Sequence, residues 1–519
     1  MINHSQLFRN TSAHGEALSR ANSQLLDIEL QRRAVLDQLV AAQMALDLLD
    51  QERNSLKAVC ETLETSLALS RSAYTRQTLA VFPQELLSKI FLAIQFESMD
   101  VWFDQQRWGQ RLSPRVACKK WSQLPLRLAA VCRLWRAVTL DEGRLWTYLA
   151  VTASADFEAQ TLTQTAERIS MYLLRSKAAL LHVNIEYDEL SEDCHVIASS
   201  ILTKLGQHVH RIQYCDIHAD SSFAELAYSI FKTACPALVA GYFNLASEED
   251  IEQITGCFPF TPRLRTLQLH GDCIPTLADH TDGIASVVTL SVCSIITDNM
   301  NRLPLYLRRW GQSIERLAID IFGGELENWT QFHLPRLQEL RFRECLFFPR
   351  LQNAGPSLVA PNLTHLSLDD VALFEEDVIF VTEIATSVTH LSLSNPGDLS
   401  VLSLLRGITH LTLGVERLDK ETSYQSVIDD QMFLTLCDQT PPVWPKLVSI
   451  CLAPTIKIAP TGAPNLLRFV RIRGPRGQNP TDAQDVTAPF AVLSHLEISC
   501  KDAPIWLVKE AARLMQPAA

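Results

Sequence analysis

The sequence lacks a C-x-x-C pair, although it carries 13 cysteines, and it has no Cys/His cluster at zinc-ligand spacing. It has no run of about 18 apolar residues, so no membrane-spanning helix is expected. The first residues, MINHSQLFRNTSAHGEA, lack a basic segment followed by an apolar core, so no secretory signal is predicted. The cysteines then read as reduced thiols of a cytoplasmic or nuclear protein. Basic residues are in deficit, 46 against 58 acidic ones, giving a net charge of −12. That balance argues against wholesale nucleic-acid wrapping, which needs a basic footprint. A local basic patch is still compatible with it. None of G-x-S-x-G, the P-loop, H-E-x-x-H or G-x-G-x-x-G occurs, so neither intrinsic catalysis nor a cofactor is expected.

What is present is apolar content. Hydrophobic residues make up 47% and charged residues 20% of 519 positions, enough for a large core and too few charges for a disordered chain. Residues 1–24 carry no clear pattern and read as a disordered N-terminus. From Leu25 to Tyr74 there is neither Pro nor Gly. Heptad counting gives Leu25, Arg32, Leu39, Leu46, Arg53, Cys60, Leu67 and Tyr74 in one series. The second series is Ile28, Val35, Ala42, Leu49, Leu56, Leu63 and Ser70. A seam of period 3.5 is the mark of a coiled coil, although Arg32 and Arg53 weaken it. Two readings are open for this amphipathic helix over 25–78: a homodimer through 25–74, or a helix that is solvated or packed on its own neighbour.

Residues 81–94 read VFPQELLSKIFLAI. Pro83 suits a first helical turn, and Glu85 favours the positive helix end. Leu86, Leu87, Ile90, Phe91 and Ile94 recur at helical spacing. Residues 124–151 read LPLRLAAVCRLWRAVTLDEGRLWTYLAV, where Leu128, Val131, Cys132, Trp135 and Val138 form a second stripe. A small helical bundle with surplus apolar surface is predicted, and such surplus suggests a partner.

The order FPQELLSKIF, then VCRLWRAV, then LW resembles an F-box, and more closely the F-box proteins of the fungal type. Over about 81–150 the likeness is close, except that Phe82 stands where the family usually has Leu and that 95–123 is inserted. The resemblance implies a non-catalytic domain that docks the Skp adaptor, itself joined to a cullin scaffold. Carried over by motif, it implies docking by Pro83, Leu86, Leu87, Ile90, Phe91, Val131, Cys132, Trp135, Leu145 and Trp146. Residues 107–136 hold eight Lys or Arg with no acid, and the inserted segment carries Trp102, Trp108 and Trp121. Aromatics among basic residues can bind nucleic acid. Part of this stretch is accounted for by the F-box pattern, and no nucleic-acid partner is expected.

Beyond the box, Leu181, Val183 and Ile185 alternate as in a strand. A hexamer, apolar-x-x-apolar-x-apolar, then recurs at 209, 264, 287, 314, 337, 363, 388, 408, 447, 467 and 493, with a partial copy at 238. From 264 to 408 six steps span 144 residues, a mean of 24. That period fits a leucine-rich repeat, in which strands stack into a parallel sheet. The expected fold is α/β: a long N-terminal helix, a small all-α F-box over 79–150 and a leucine-rich-repeat-like solenoid over 151–519. Only LQELRFREC, with Cys345, completes the repeat consensus. A parallel β-helix is the alternative, but it would want more than the 18 Gly present.

Alternation places the x positions away from the core. The candidate target-binding surface is therefore Gln268, His270, Arg316, Asp320, Arg341, Arg343, His365, Asp369, His390, His410, Arg471, Arg473 and His495. Arg341, Arg343, Arg471 and Arg473 are its candidates for a phosphorylated target. His365, His390 and His410 share one slot in consecutive repeats; a zinc site or pH-sensitive patch is conceivable, but no fourth ligand is evident. Together these readings predict a substrate-recognition subunit of an SCF-type cullin ubiquitin ligase with an unidentified protein target. The competing expectation is a repeat scaffold that dimerises by its helix and never joins a ligase.

Overall fold

In a computed structural model, the described residues are 4–80, 82–105, 114–245, 254–271, 274–278, 286–294, 302–321, 332–343, 358–369, 371, 378, 381–382, 387–394, 401–414, 426–428, 430–438, 443–458, 462–475, 491–500 and 503–516. The chain divides into two compact units, Met1–Pro83 and Gln84–Ala519. The first unit is helix α1, His4–Ala80. It starts well before Leu25, so the segment 1–24 is helical from His4 and not a disordered tail. That stretch has no Pro, and its one Gly costs only about 1 kcal/mol.

The second unit opens with three helices: α2 (Gln84–Gln105), α3 (Pro114–Val131) and α4 (Arg133–Asp141). The inserted segment is thus helical at both ends, while 106–113 lie outside the described residues. Cys132 caps α4, its Sγ accepting the Trp135 N–H at 3.4 Å. A 3₁₀ turn, Gly143–Trp146, leads directly into strand β1, Tyr148–Ala153. The helical segment and the sheet therefore form one unit, with no boundary near 150.

The sheet has 13 strands, all parallel, and its order follows the chain. Its first members are β1, β2 (Leu181–Tyr187), β3 (Ile212–Ala219) and β4 (Ala240–Leu245). Next come β5 (Thr266–His270), β6 (Thr289–Ser294) and β7 (Arg316–Ile321). Two-residue strands β8 (Phe332–His333) and β10 (Leu358–Val359) pair with each other, outside the main sheet. The main sheet continues through β9 (Glu339–Arg343), β11 (His365–Asp369), β12 (His390–Leu393) and β13 (His410–Leu413). It ends with β15 (Ser449–Leu452) and β17 (His495–Ile498); β14 (Ser426–Ile428) and β16 (Ile456–Ile458) form a second small pair. Helices α5 (Ala159–Arg175), α6 (Glu192–Gly206), α7 (Ala224–Ile230) and α8 (Leu303–Trp310) lie between strands. So do α9 (Asp430–Asp438) and α10 (Gly462–Arg473), and α11 (Ile505–Met515) follows the last strand.

Eleven of the twelve hexamer copies, including the partial one, deliver a strand. The leading apolar residue of each, such as Leu264, Val287, Ile314, Leu363 and Leu447, is buried just before its strand begins. The alternating residues then stack in register: Leu340, Leu366, Leu391, Leu411 and Ile450 form one continuous row on the core face. Parallel strands need covered crossovers, and the intervening helices and turns supply them. The copy at 467 does not form a strand. Leu466, Phe469, Val470 and Arg473 recur at i, i+3, i+4 and i+7, and all four lie on the buried face of a helix.

The ten described cysteines are free thiols. Burial pushes Cys235 and Cys257 up to about 12, so both stay protonated and unreactive. Among the described residues no helix is long and apolar enough to cross a membrane.

Candidate functional site

Two surfaces contain the predicted site residues. The first is the helical segment at the start of the second unit. Helix α2 divides its apolar residues between two faces. Leu87, Phe91 and Leu92 are buried, while Leu86, Ile90 and Ile94 are 45%, 44% and 47% exposed at i, i+4 and i+8. Four-residue spacing stacks that second set into one outward ridge. Val131 at the end of α3 is 57% exposed, and Cys132 is exposed. Trp135 is half-buried with its ring 4.7 Å from Phe91. Pro83, just before α2, is exposed.

Four residues of the expected docking set are not available to a partner. Leu87, Phe91, Leu145 and Trp146 are buried inside the protein. Trp146 donates its indole N–H to the Thr139 carbonyl at 2.7 Å, lies under the Arg175 guanidinium at 4.5 Å and meets Tyr172 edge-on at 5.0 Å. The LW pair therefore anchors the helices to the sheet. The sequence stripe mixed two faces because residues one apart, such as 86 and 87 or 90 and 91, are turned by about 100° around a helix, enough to put one in the core and the other in water. Leu126 and Leu140 are further exposed apolar residues that the motif did not single out.

A polar clamp holds this segment together. Ser88 of α2 donates to Glu142 at 2.6 Å, and Arg144 grips the same carboxylate with two bonds of 2.8 Å. The Arg144 bonds, with Ser88 adding to them, hold Glu142 down at about 2.

The second surface is the sheet face opposite the main core. His365, His390 and His410 are directly paired in register. Their rings stack with centroids 4.1 and 4.2 Å apart and planes inclined by only 17° and 8°. Each ring nitrogen Nδ1 lies 2.8–2.9 Å from the hydroxyl of the preceding threonine, Thr364, Thr389 or Thr409. Each of those hydroxyls also donates to a carbonyl of the preceding strand's segment, of Gln338, Thr364 and Thr389 respectively. A hydroxyl that gives its one proton to the carbonyl accepts from the imidazole. The tautomer that satisfies both hydroxyl contacts is therefore Nδ1–H on all three rings, with Nε2 as the acceptor. Burial, then the neighbouring imidazoles, pulls His390 down to about 4. His365 is lowered by burial and by His410. Among the described residues, no group of three or more His, Cys, Asp or Glu is placed to hold a metal ion.

The predicted basic residues beside this ladder are already neutralised. Arg341 donates through Nε at 2.9 Å to Asp369, which is buried, and Arg343 pairs with Asp320 at 3.5 Å. Arg316 lies 3.8 Å from Glu339, an acid the hexamer pattern passed over, whose carboxyl is raised by burial. Buried Asp369 is therefore a partner of Arg341 and no contact point for a ligand. Arg471 and Arg473 are not on this face at all, because both belong to helix α10. Arg473 is buried and donates to the Trp444 and Val443 carbonyls at 2.8 and 2.7 Å. Gln268 and His270 are half-buried on β5, His270 lying 3.5 Å from the Ser291 hydroxyl. His495 is exposed on β17, 3.9 Å from Glu497. Cys345 and the basic residues at 107 and 111 lie outside the described residues.

No known protein family matches the chain, and no curated protein matches it in sequence.

Proposed function

We propose that the chain is a substrate-recognition subunit of an SCF-type cullin ubiquitin ligase. In this reading α2–α4 act as the F-box that docks the Skp adaptor. The sheet and its crossovers act as a leucine-rich-repeat-like solenoid whose outward face holds a target protein. The observation that carries it is the Leu86–Ile90–Ile94 ridge: a short helical segment, fixed to the rest of its unit by buried Trp146, that still leaves a row of apolar side chains in water. Apolar helix faces of this kind are how such segments recognise partner helices. The hexamer period and the strictly sequential parallel order support the repeat reading.

The mechanism is proximity. A target held on the sheet would sit on the same body as the adaptor-docked conjugating machinery, raising its effective concentration there. The protein would contribute binding and orientation, while the bond-making groups belong to the partners. The target surface would be read through the Nε2 acceptors of His365, His390 and His410. The paired arginines are not free for a phosphate.

Pull-down with purified Skp adaptor tests this. Leu86→Asp plus Ile90→Asp is expected to weaken capture at least tenfold with an unchanged melting temperature, since both residues are exposed. Capture that is absent in the unaltered protein, or unchanged in the variant, sinks the assignment.

A further inference from the structure

We propose that α1 is one strand of a parallel, in-register, two-stranded coiled coil, which makes the protein a homodimer joined through residues 25–70. Among the described residues, the first unit contains no other element. Yet its seam is apolar and open: Leu39, Leu49 and Leu63 are 63%, 65% and 63% exposed. So long an apolar stripe is unfavourable in water unless something covers it. A 3.5-residue period drifts around a straight helix by about 20° per heptad, and supercoiling on another helix with the same period cancels the drift. A second copy supplies that period by construction.

The polar residues of the seam fix the details. Arg32 and Arg53 occupy the same heptad position as Leu39 and Leu46. In a two-stranded coil a long arginine can run its stem along the seam and keep its charge in water, whereas in a higher bundle it would be enclosed. In register, the two arginines of one copy meet their own counterparts, so only two layers of the seam carry charge. A slip of one heptad sets every arginine against an apolar residue, such as Arg32 against Leu39, and spoils four. The flanking positions agree with a parallel pair. Glu52 of one copy falls beside Lys57 of the other, and beside Arg53 of the other copy as well. The remaining flanking pairs, Gln31 with Leu36, Gln38 with Gln43, Ala45 with Asp50, Val59 with Glu64 and Ser66 with Arg71, place no like charges together. In this arrangement Cys60, exposed in the single chain, faces Cys60 of the second copy across the seam.

The inference is independent of the ligase reading. A dimer would present two sheet surfaces and two adaptor ridges, which adds avidity for any multivalent target. Sedimentation velocity of the full chain at about 10 μM is expected to give twice the 58.2 kDa chain mass. Mild oxidation with copper phenanthroline is expected to yield a disulfide-linked dimer that Cys60→Ser abolishes. Leu49→Asp plus Leu56→Asp is expected to raise the dimer dissociation constant at least a hundredfold with full helicity by circular dichroism. Leu48→Asp, on the outer face and 68% exposed, is expected to leave it unchanged. A monomeric unaltered protein, a dimer that survives the double variant, or a dimer without the Cys60 cross-link would each overturn the proposal. Adaptor capture by the double variant, read in parallel, separates this outcome from failure of the proposed function.

Discussion

The outward face of the sheet contains two ring stacks in opposite surroundings. At the start of the sheet His182 lies between Tyr148 and Tyr214, its ring centroid 4.7 and 6.2 Å from theirs. Helix α3 borders this end, with Trp121 5.4 Å from Tyr148, and Tyr148, His182 and Tyr214 are all buried. Farther along the same sheet His390 lies between two other imidazoles and remains partly open to solvent. Both are lowered to about 4, His182 by burial alone and His390 by burial first and its neighbours second. In-register parallel strands make ladders wherever like side chains share a slot; what lies over the ladder decides whether it is core or surface.

The largest expected effect comes from removing that cover. Trp121→Ala takes away a buried aromatic and is expected to cost about 3–5 kcal/mol in denaturant unfolding. In the protein that remains folded, the His182 resonances are expected to titrate closer to the ordinary value of 6.5. An unchanged titration would mean that α3 is not what buries it.

The second test is pH. A histidine whose folded value is depressed stabilises the fold while neutral, above its unfolded value, and loses that contribution as pH falls through the folded value. For His182 the window runs from 6.5 down to about 4. The buried site is worth up to about 3 kcal/mol over that window. His182→Phe is expected to flatten the acid loss of stability there. His390→Phe is expected to flatten it much less, since its ring is partly screened by solvent. Equal effects would erase the distinction between the two ladders. Glu142 acts in a separate, lower window: its depressed carboxyl stabilises above 4.5, and that contribution is lost as pH falls toward about 2. Glu142→Gln should alter only that part of the profile.

The smallest effect is expected at the tautomer lock. Thr389→Val removes the hydroxyl that takes the His390 proton, costing roughly 0.5–1.5 kcal/mol. Nitrogen-15 shifts should then report mixed tautomers at His390 and an unaltered His410. Shifts that stay those of a pure Nδ1–H ring would show that stacking alone sets the state.

The strand positions were legible because a core-facing parallel strand needs apolar residues at alternate sites, and the hexamer states that need eleven times over. The histidine ladder was legible for the same reason, and the repeated Thr-His pair even marks the hydrogen bond that orders it. Arg473 was misread because apolar-x-x-apolar-x-apolar also satisfies a helical i, i+3 spacing, and only its neighbours in space choose between the two. Leu145 and Trp146 were misread for a different reason. A motif identifies apolar residues that must leave water, and says nothing about whether they leave it against a partner or against the protein's own sheet.

By itself, then, the sequence determined the long seam, the two helical stripes and the order of the strands, because each is a periodicity of one segment. The tertiary structure alone decided which face of α2 is open and which arginines are already paired. It also decided that the Tyr148–His182–Tyr214 stack is buried while the histidine ladder faces solvent. Those outcomes depend on contacts between segments far apart in the chain, where burial and charge pairing are set by neighbours that no local pattern encodes.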